Sequence, residues 1–158
     1  MNPYAASLGS RDPLAAMADT PSRIRAIVKT IGPAGLGRSY APGKWSARQL
    51  LVHLAQTELA FAVRLRMALT TDGYVVQPFD QDRWLAGEPA VEPNAALAAY
   101  EALRALNLSL FRGLTEAGLS RAFEHPERGR LVVRDLALML AGHELHHLKH
   151  LETIAAGQ

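Results

Sequence analysis

The chain has 158 residues, 49% of them hydrophobic and 20% charged, with no Cys and with 17 Lys plus Arg against 15 Asp plus Glu, a net charge of +2. A chain of this length hides roughly 70% of its extended surface on folding, so residues 1–158 are expected to form one domain that needs neither disulfides nor a structural metal. Lack of Cys excludes thiolate metal sites, iron–sulfur clusters and a cysteine nucleophile. Basic residues stand singly or in pairs such as Arg64 and Arg66, and no uncharged apolar run reaches membrane length, so neither nucleic acid nor membrane is an expected partner. The start, Met1-Asn2-Pro3-Tyr4, shows no basic-then-apolar leader, which points to a cytoplasmic protein.

Four segments carry helical periodicity. The first runs from about Pro13 to Ile31 and contains Thr20-Pro21, which reads either as two helices in succession or as one kinked helix. The second starts at Ser46, where Ser46-Ala47-Arg48-Gln49 fits a capping box, and continues to about Thr71 before Asp72-Gly73. About twenty residues with Pro78, Pro89 and Pro93 follow, too long for a hairpin loop and long enough to cross a bundle. The third helix is expected from about Asn94, as N-cap, to Gly113, with Leu97, Tyr100, Leu103 or Arg104, and Leu108 or Phe111 on its buried stripe. The fourth spans roughly Val132 to Ala156 and stops at Gly157. The pattern predicts an all-α four-helix bundle with a long crossover between helices 2 and 3. Tyr74-Val75-Val76 is at most an edge fragment of a strand.

The last helix carries His143-Glu144-Leu145-His146-His147-Leu148-Lys149-His150. At about 100° per residue, His143 and His147 lie about 40° apart, with His147 inside the stripe of Leu136, Leu140, Leu151 and Ile154. His146 falls toward solvent, and both His146 and His150 read as solvated or substrate-facing. Two imidazoles one turn apart can grip one divalent ion. His53, at the margin of the second helix's apolar face (Leu50, Leu54, Phe61, Leu65), supplies a third from a facing helix. His-Glu-Leu-His-His also matches the zincin string, but the extended form needs Gly at position 150 and His at position 153, where the chain has His150 and Thr153.

Glu58 and Glu144 project into apolar sectors, and a buried carboxylate needs a partner. Glu144 is the candidate catalytic residue, as a base or as the acceptor for a ligand imidazole. The structural alternative for both is a pair with an Arg such as Arg25 or Arg104. Trp45 and Trp84 read as packing residues and His125 as a loop residue.

Taken together, these residues resemble the DinB-like (YfiT-like) four-helix metalloproteins. The resemblance rests on Lys44-Trp45-Ser46, Leu50-Leu51-Val52-His53-Leu54-Ala55-Gln56-Thr57-Glu58, Phe79-Asp80-Gln81-Asp82-Arg83-Trp84, the His125-Pro126-Glu127-Arg128-Gly129 turn and Ala141-Gly142-His143-Glu144-Leu145-His146-His147-Leu148. It implies an up-down-down-up bundle, a divalent metal, usually zinc or nickel, on His53, His143 and His147, a small-molecule partner that includes a low-molecular-weight thiol in some members, and a homodimer. Position 56 is Gln where the family often has an acidic residue, and position 150 is His where Gln is frequent. The resulting expectation is a metal-dependent enzyme, a thiol-dependent transferase or a hydrolase. Since the chain has no Cys, a reacting sulfur would arrive on a cosubstrate. The alternative is a non-catalytic metal-binding or dimeric interaction bundle.

Overall fold

The computed structural model describes residues 2–157. A one-turn helix α1 (Ala5–Leu8) leads into α2 (Pro13–Gly35) and α3 (Ala47–Thr70), followed by a short α4 (Gln81–Gly87), α5 (Pro93–Arg112), a one-turn α6 (Glu116–Leu119), the hairpin β1 (Ala122–His125) and β2 (Gly129–Val132), and α7 (Val133–Ala155). Helices α2, α3, α5 and α7 form the bundle.

Local chemistry sets most of these boundaries. The Asp12 side chain accepts from the Ala15 amide at 2.7 Å and Pro13 takes the first helical position of α2. Ser46 and Gln49 form the capping box: the Ser46 amide donates to Gln49 Oε1 at 2.9 Å and the Gln49 amide to Ser46 Oγ at 3.3 Å. Helix α2 runs through Pro21 and breaks instead at Gly32, whose φ of +64° favours glycine, just before Pro33. Pro21 lacks the N–H that would bond the carbonyl four residues back, and the freed Met17 oxygen accepts from Arg104 at 3.2 Å. Helix α5 starts one residue earlier than Asn94, with Pro93 inside its first turn and Glu92 as N-cap without a side-chain bond. Pro93 is preorganised for a first turn and has no N–H needing a cap. Asp135 accepts from the Val132 amide at 2.8 Å, so α7 is held at its start without a hydroxyl cap.

Cross-links between helices fix the topology. Along α2, Thr20 bonds Glu144 and Arg23 bonds Glu152, so α2 and α7 run parallel. Arg48 reaches Val91, and Arg66 reaches Asn107, so α3 and α5 also run parallel. The Arg104–Met17 and Arg25–Glu101 bonds set α5 antiparallel to α2. The order is therefore up-down-down-up, with residues 71–92 making the long crossover. The core joins Met17, Ile24, Leu50, Leu54, Leu65, Tyr100, Leu136, Leu140, Leu148 and Leu151 in one cluster.

The antiparallel hairpin β1–β2 pairs Ala122 with Val132 and His125 with Gly129. It is anchored to the crossover: Val76 donates its amide to the Glu124 carbonyl at 2.8 Å, and Glu124 donates to Tyr74 at 2.9 Å. Val75 thus makes a single parallel bridge, the edge fragment seen in the sequence. Among the described residues, no helix is long and apolar enough to cross a membrane.

Candidate metal centre

His53 projects from α3 and His143 and His147 from α7, two antiparallel helices of the bundle. All three are buried, and one ring nitrogen from each lies within 4.8 Å of the others. His53 Nε2 and His143 Nε2 approach to 2.9 Å. Two metal–nitrogen bonds of about 2.05 Å place their nitrogens about 2.9 Å apart at a right angle and about 3.3 Å apart at a tetrahedral one. The His53 and His143 Nδ1 atoms are buried without partners. The pair is thus spaced as two donors that share one ion.

Burial also leaves the lone pairs available. It drives the His53 pKa down to about 4. His143 is pushed well below the usual range by burial and by the neighbouring His147 and His53, and His147 falls through burial and the nearby His53, His146 and His150. All three are neutral at pH 7, the form that ligates a metal.

The surroundings hold these rings in place. Trp45, just ahead of α3, lies 4.7 Å from His53 and stacks at 6.0 Å on His147 by ring centroids, while its Nε1 donates to Asp82 at 3.2 Å. Tyr4 meets His143 edge-on at 5.1 Å. The N-terminal segment reaches this place because Gly142 has no side chain: a Cβ there would lie 2.7 Å from the Tyr4 carbonyl oxygen. The Asn2 side chain ties the segment down by donating to the Leu138 carbonyl at 3.2 Å.

Beside the imidazoles, Glu58, Arg104 and Glu144 form a buried ionic network, each about 1% exposed. Arg104 bonds both carboxylates. Thr20 Oγ1 donates to Glu144 Oε2 at 2.5 Å, and Asn107 donates to Glu58 Oε2 at 2.8 Å. Burial pushes the Glu144 pKa up, Arg104 pulls it down, and Glu58 adds repulsion, leaving it raised. Of the two arginines considered as partners, Arg104 fills the role, while Arg25 pairs with Glu101 on the surface. Glu144, the candidate catalytic residue, has both oxygens engaged in this network.

His146 and His150 are half-buried and form a second group with His147. His150 Nδ1 lies 3.3 Å from His147 Nδ1, and Tyr40 stacks on His150 at 3.9 Å. Sequence reasoning did not single out Tyr4 or Arg64, and it placed His125 in a loop. In the structure His125 ends β1, is 8% exposed, and lines with Tyr4, Thr57 and Arg64 a pocket of about 150 Å³ that opens onto His53 and His143. Trp45, expected as packing, packs on the imidazoles themselves.

Known proteins resemble this chain in sequence and in fold. OB0413 of Oceanobacillus iheyensis, named as a candidate metal-dependent hydrolase, is 32% identical over 137 residues, spanning 83% of this chain and 76% of its own. YfiT of Bacillus subtilis, similarly named, is 26% identical over 140 residues, 87% of this chain and 79% of its own. The solved YfiT structure, described as an unusual four-helix bundle, superposes with a TM-score of 0.85 at 22% identity, over 92% of this chain and 85% of that one. A mycothiol-dependent maleylpyruvate isomerase superposes at 0.71 and 19% identity over 88% of this chain and 59% of its own. At these identities the two structures share the fold. The sequence profile of the DinB superfamily matches residues 16–151, from the first turns of α2 to the last of α7, and takes in His53, His143 and His147. The chain belongs to the DinB superfamily.

Proposed function

We propose that the chain is a metal-dependent enzyme acting on a small molecule, with His53, His143 and His147 as ligands of one divalent ion, zinc or nickel. The observation that carries this reading is the convergence of three neutral, buried imidazoles, two of which, His53 and His143, line a pocket. When bound, a divalent ion held by three neutral ligands would supply an undiminished +2 charge that activates water or a thiol near neutral pH. Hydrolysis and transfer to a low-molecular-weight thiol both belong to this chemistry, and with no Cys in the chain the sulfur would come from a cosubstrate.

The chain's own residues orient and shield. Trp45 and Tyr4 hold the rings of His53, His147 and His143 and cover them from bulk solvent. Glu144 enters as a positioning residue: its carboxylate, locked to Arg104 and Thr20, fixes the turn of α7 that presents His143. The names of OB0413 and YfiT support hydrolysis, and the mycothiol-dependent neighbour supports a thiol partner. A homodimer in the cytoplasm completes the proposal.

Turnover of the metal-loaded chain is the test, with esters and amides on one side and a low-molecular-weight thiol plus an electrophile on the other. Metal-dependent turnover in either arm, lost in His53→Ala, is the expected result. No turnover in both arms would favour a binding bundle instead.

A further inference from the structure

One face of α3 carries His53, Thr57, Phe61 and Arg64, all lining the same pocket. At helical spacing these four fall within about an 80° sector. The floor at His53 is the metal end. Thr57 is 3% exposed, and its Oγ1 has no partner. Phe61 follows as an apolar stretch.

Arg64 stands at the far end. Its guanidinium lies over the rings of Phe61 and Phe79, 5.4 Å from each centroid, and donates to the Gln77 carbonyl at 3.1 Å. Among the described residues it makes no ion pair with a carboxylate within 4.0 Å, and it is half-buried. A partly desolvated cation with no carboxylate in contact is unfavourable, and an anionic ligand would relieve it. Arg128 and Glu127, on the hairpin turn, border the same pocket. Their charges cancel, so the surplus positive charge is that of Arg64. Burial lowers the Arg64 pKa and the Arg128 charge adds to this, while Tyr74 and Glu127 oppose it; burial, then Arg64 and Arg128, lower that of His125 against Glu127.

We infer that this pocket takes an elongated small molecule with an anionic terminus, a carboxylate or a phosphate, which Arg64 receives while the other end lies at His53 and His143. The partnerless Thr57 hydroxyl supplies a hydrogen bond midway, and Phe61 packs the connecting chain. The α-carbons of His53 and Arg64 are about 16 Å apart along the helix, and the Arg64 side chain leans back toward His53. The ligand is therefore longer than a two-carbon acid. The inference rests on the proposed metal site and adds the substrate class.

The test compares ω-mercaptoalkanoates of increasing chain length with ω-mercaptoalkanols of matched length. Their affinity for the cobalt-loaded chain is read by the thiolate-to-cobalt absorption band and by calorimetry. The expected result is at least a tenfold preference for the acid, appearing only above a threshold length. Arg64→Gln abolishes the preference and leaves alcohol binding and metal content unchanged, and Arg64→Lys keeps part of it. Equal affinity for acid and alcohol at every length, or a preference that survives Arg64→Gln, would overturn the inference while leaving the metal site standing. A chain that retains no cobalt and binds neither series would refute the proposed function, and this inference with it.

Discussion

Arg104→Met tests how the bundle supports its histidines. The guanidinium is the shared partner of Glu58 and Glu144, both about 1% exposed, and it also satisfies the Met17 carbonyl left open by Pro21. Methionine fills similar space but leaves two carboxylates buried without a cation. Breaking a buried pair by removing one partner costs about 3–5 kcal/mol, a large part of a typical stability of about 5–15 kcal/mol. For a chain of this size that is a fall in Tm of roughly 6–20 °C. The loss has a pH signature. Glu144 is already raised by burial, and removing Arg104 takes away the charge that pulls it down. A carboxyl whose folded pKa exceeds its unfolded one is stabilising below the unfolded value, and that contribution is lost as pH rises through the folded value. The difference between variant and wild type, measured by urea unfolding of the metal-free proteins, is therefore larger at pH 8 than at pH 5. Adding Glu58→Gln and Glu144→Gln recovers much of it. A penalty under about 1 kcal/mol, or one independent of pH, would refute a network held by Arg104.

Two further outcomes follow from the site. Gly142→Ala puts a Cβ 2.7 Å from the Tyr4 oxygen and 2.9 Å from the Tyr4 Cβ, so the N-terminal segment lifts away. An overpacking cost of about 1–3 kcal/mol, with faster hydrogen exchange in residues 2–8 and faster metal release, is the expected result, and unchanged exchange there would contradict it. In the metal-free protein, His53 titrates at about 4 when folded against about 6.5 when unfolded. The unfolded chain thus takes up the proton first, and stability is lost as pH falls from 6.5 to 4, by about 3 kcal/mol from this residue alone. His53→Gln removes that share, read as a shallower fall in urea midpoint between pH 7 and pH 4.5. Identical slopes for the two proteins would contradict the assignment.

The bundle was legible where signals are local and repeated. Ser46 and Gln49 announce the start of α3 through contacts three residues apart, and the prolines between Asp72 and Asn94 mark the crossover. The three histidines were legible because helical periodicity places His147 inside a buried stripe and His53 and His143 at the margins of one. What stayed hidden depends on contacts distant in sequence. Each strand of the hairpin is four residues long, and β1 is fixed at Glu124 by Tyr74 and Val76, about fifty residues earlier in the chain. The hairpin is what turns His125 from a loop residue into a pocket wall. Tyr4 reaches His143 only because position 142 is Gly, and a lone glycine inside a helix does not say what approaches it. Arg104 occupied a position where the stripe admitted either it or Leu103. The structure buries the arginine because two carboxylates and a proline-freed carbonyl converge there.

The most direct test of the central claim is the metal stoichiometry of the untagged chain. Metal-free protein is dialysed to equilibrium against buffered zinc or nickel, and the bound metal is measured by elemental analysis alongside His53→Ala and His147→Ala. One tightly held ion per chain, lost in both variants with the fold intact by circular dichroism, is the predicted result. No stoichiometric metal, or a full equivalent retained by either variant, would contradict a centre built from His53, His143 and His147.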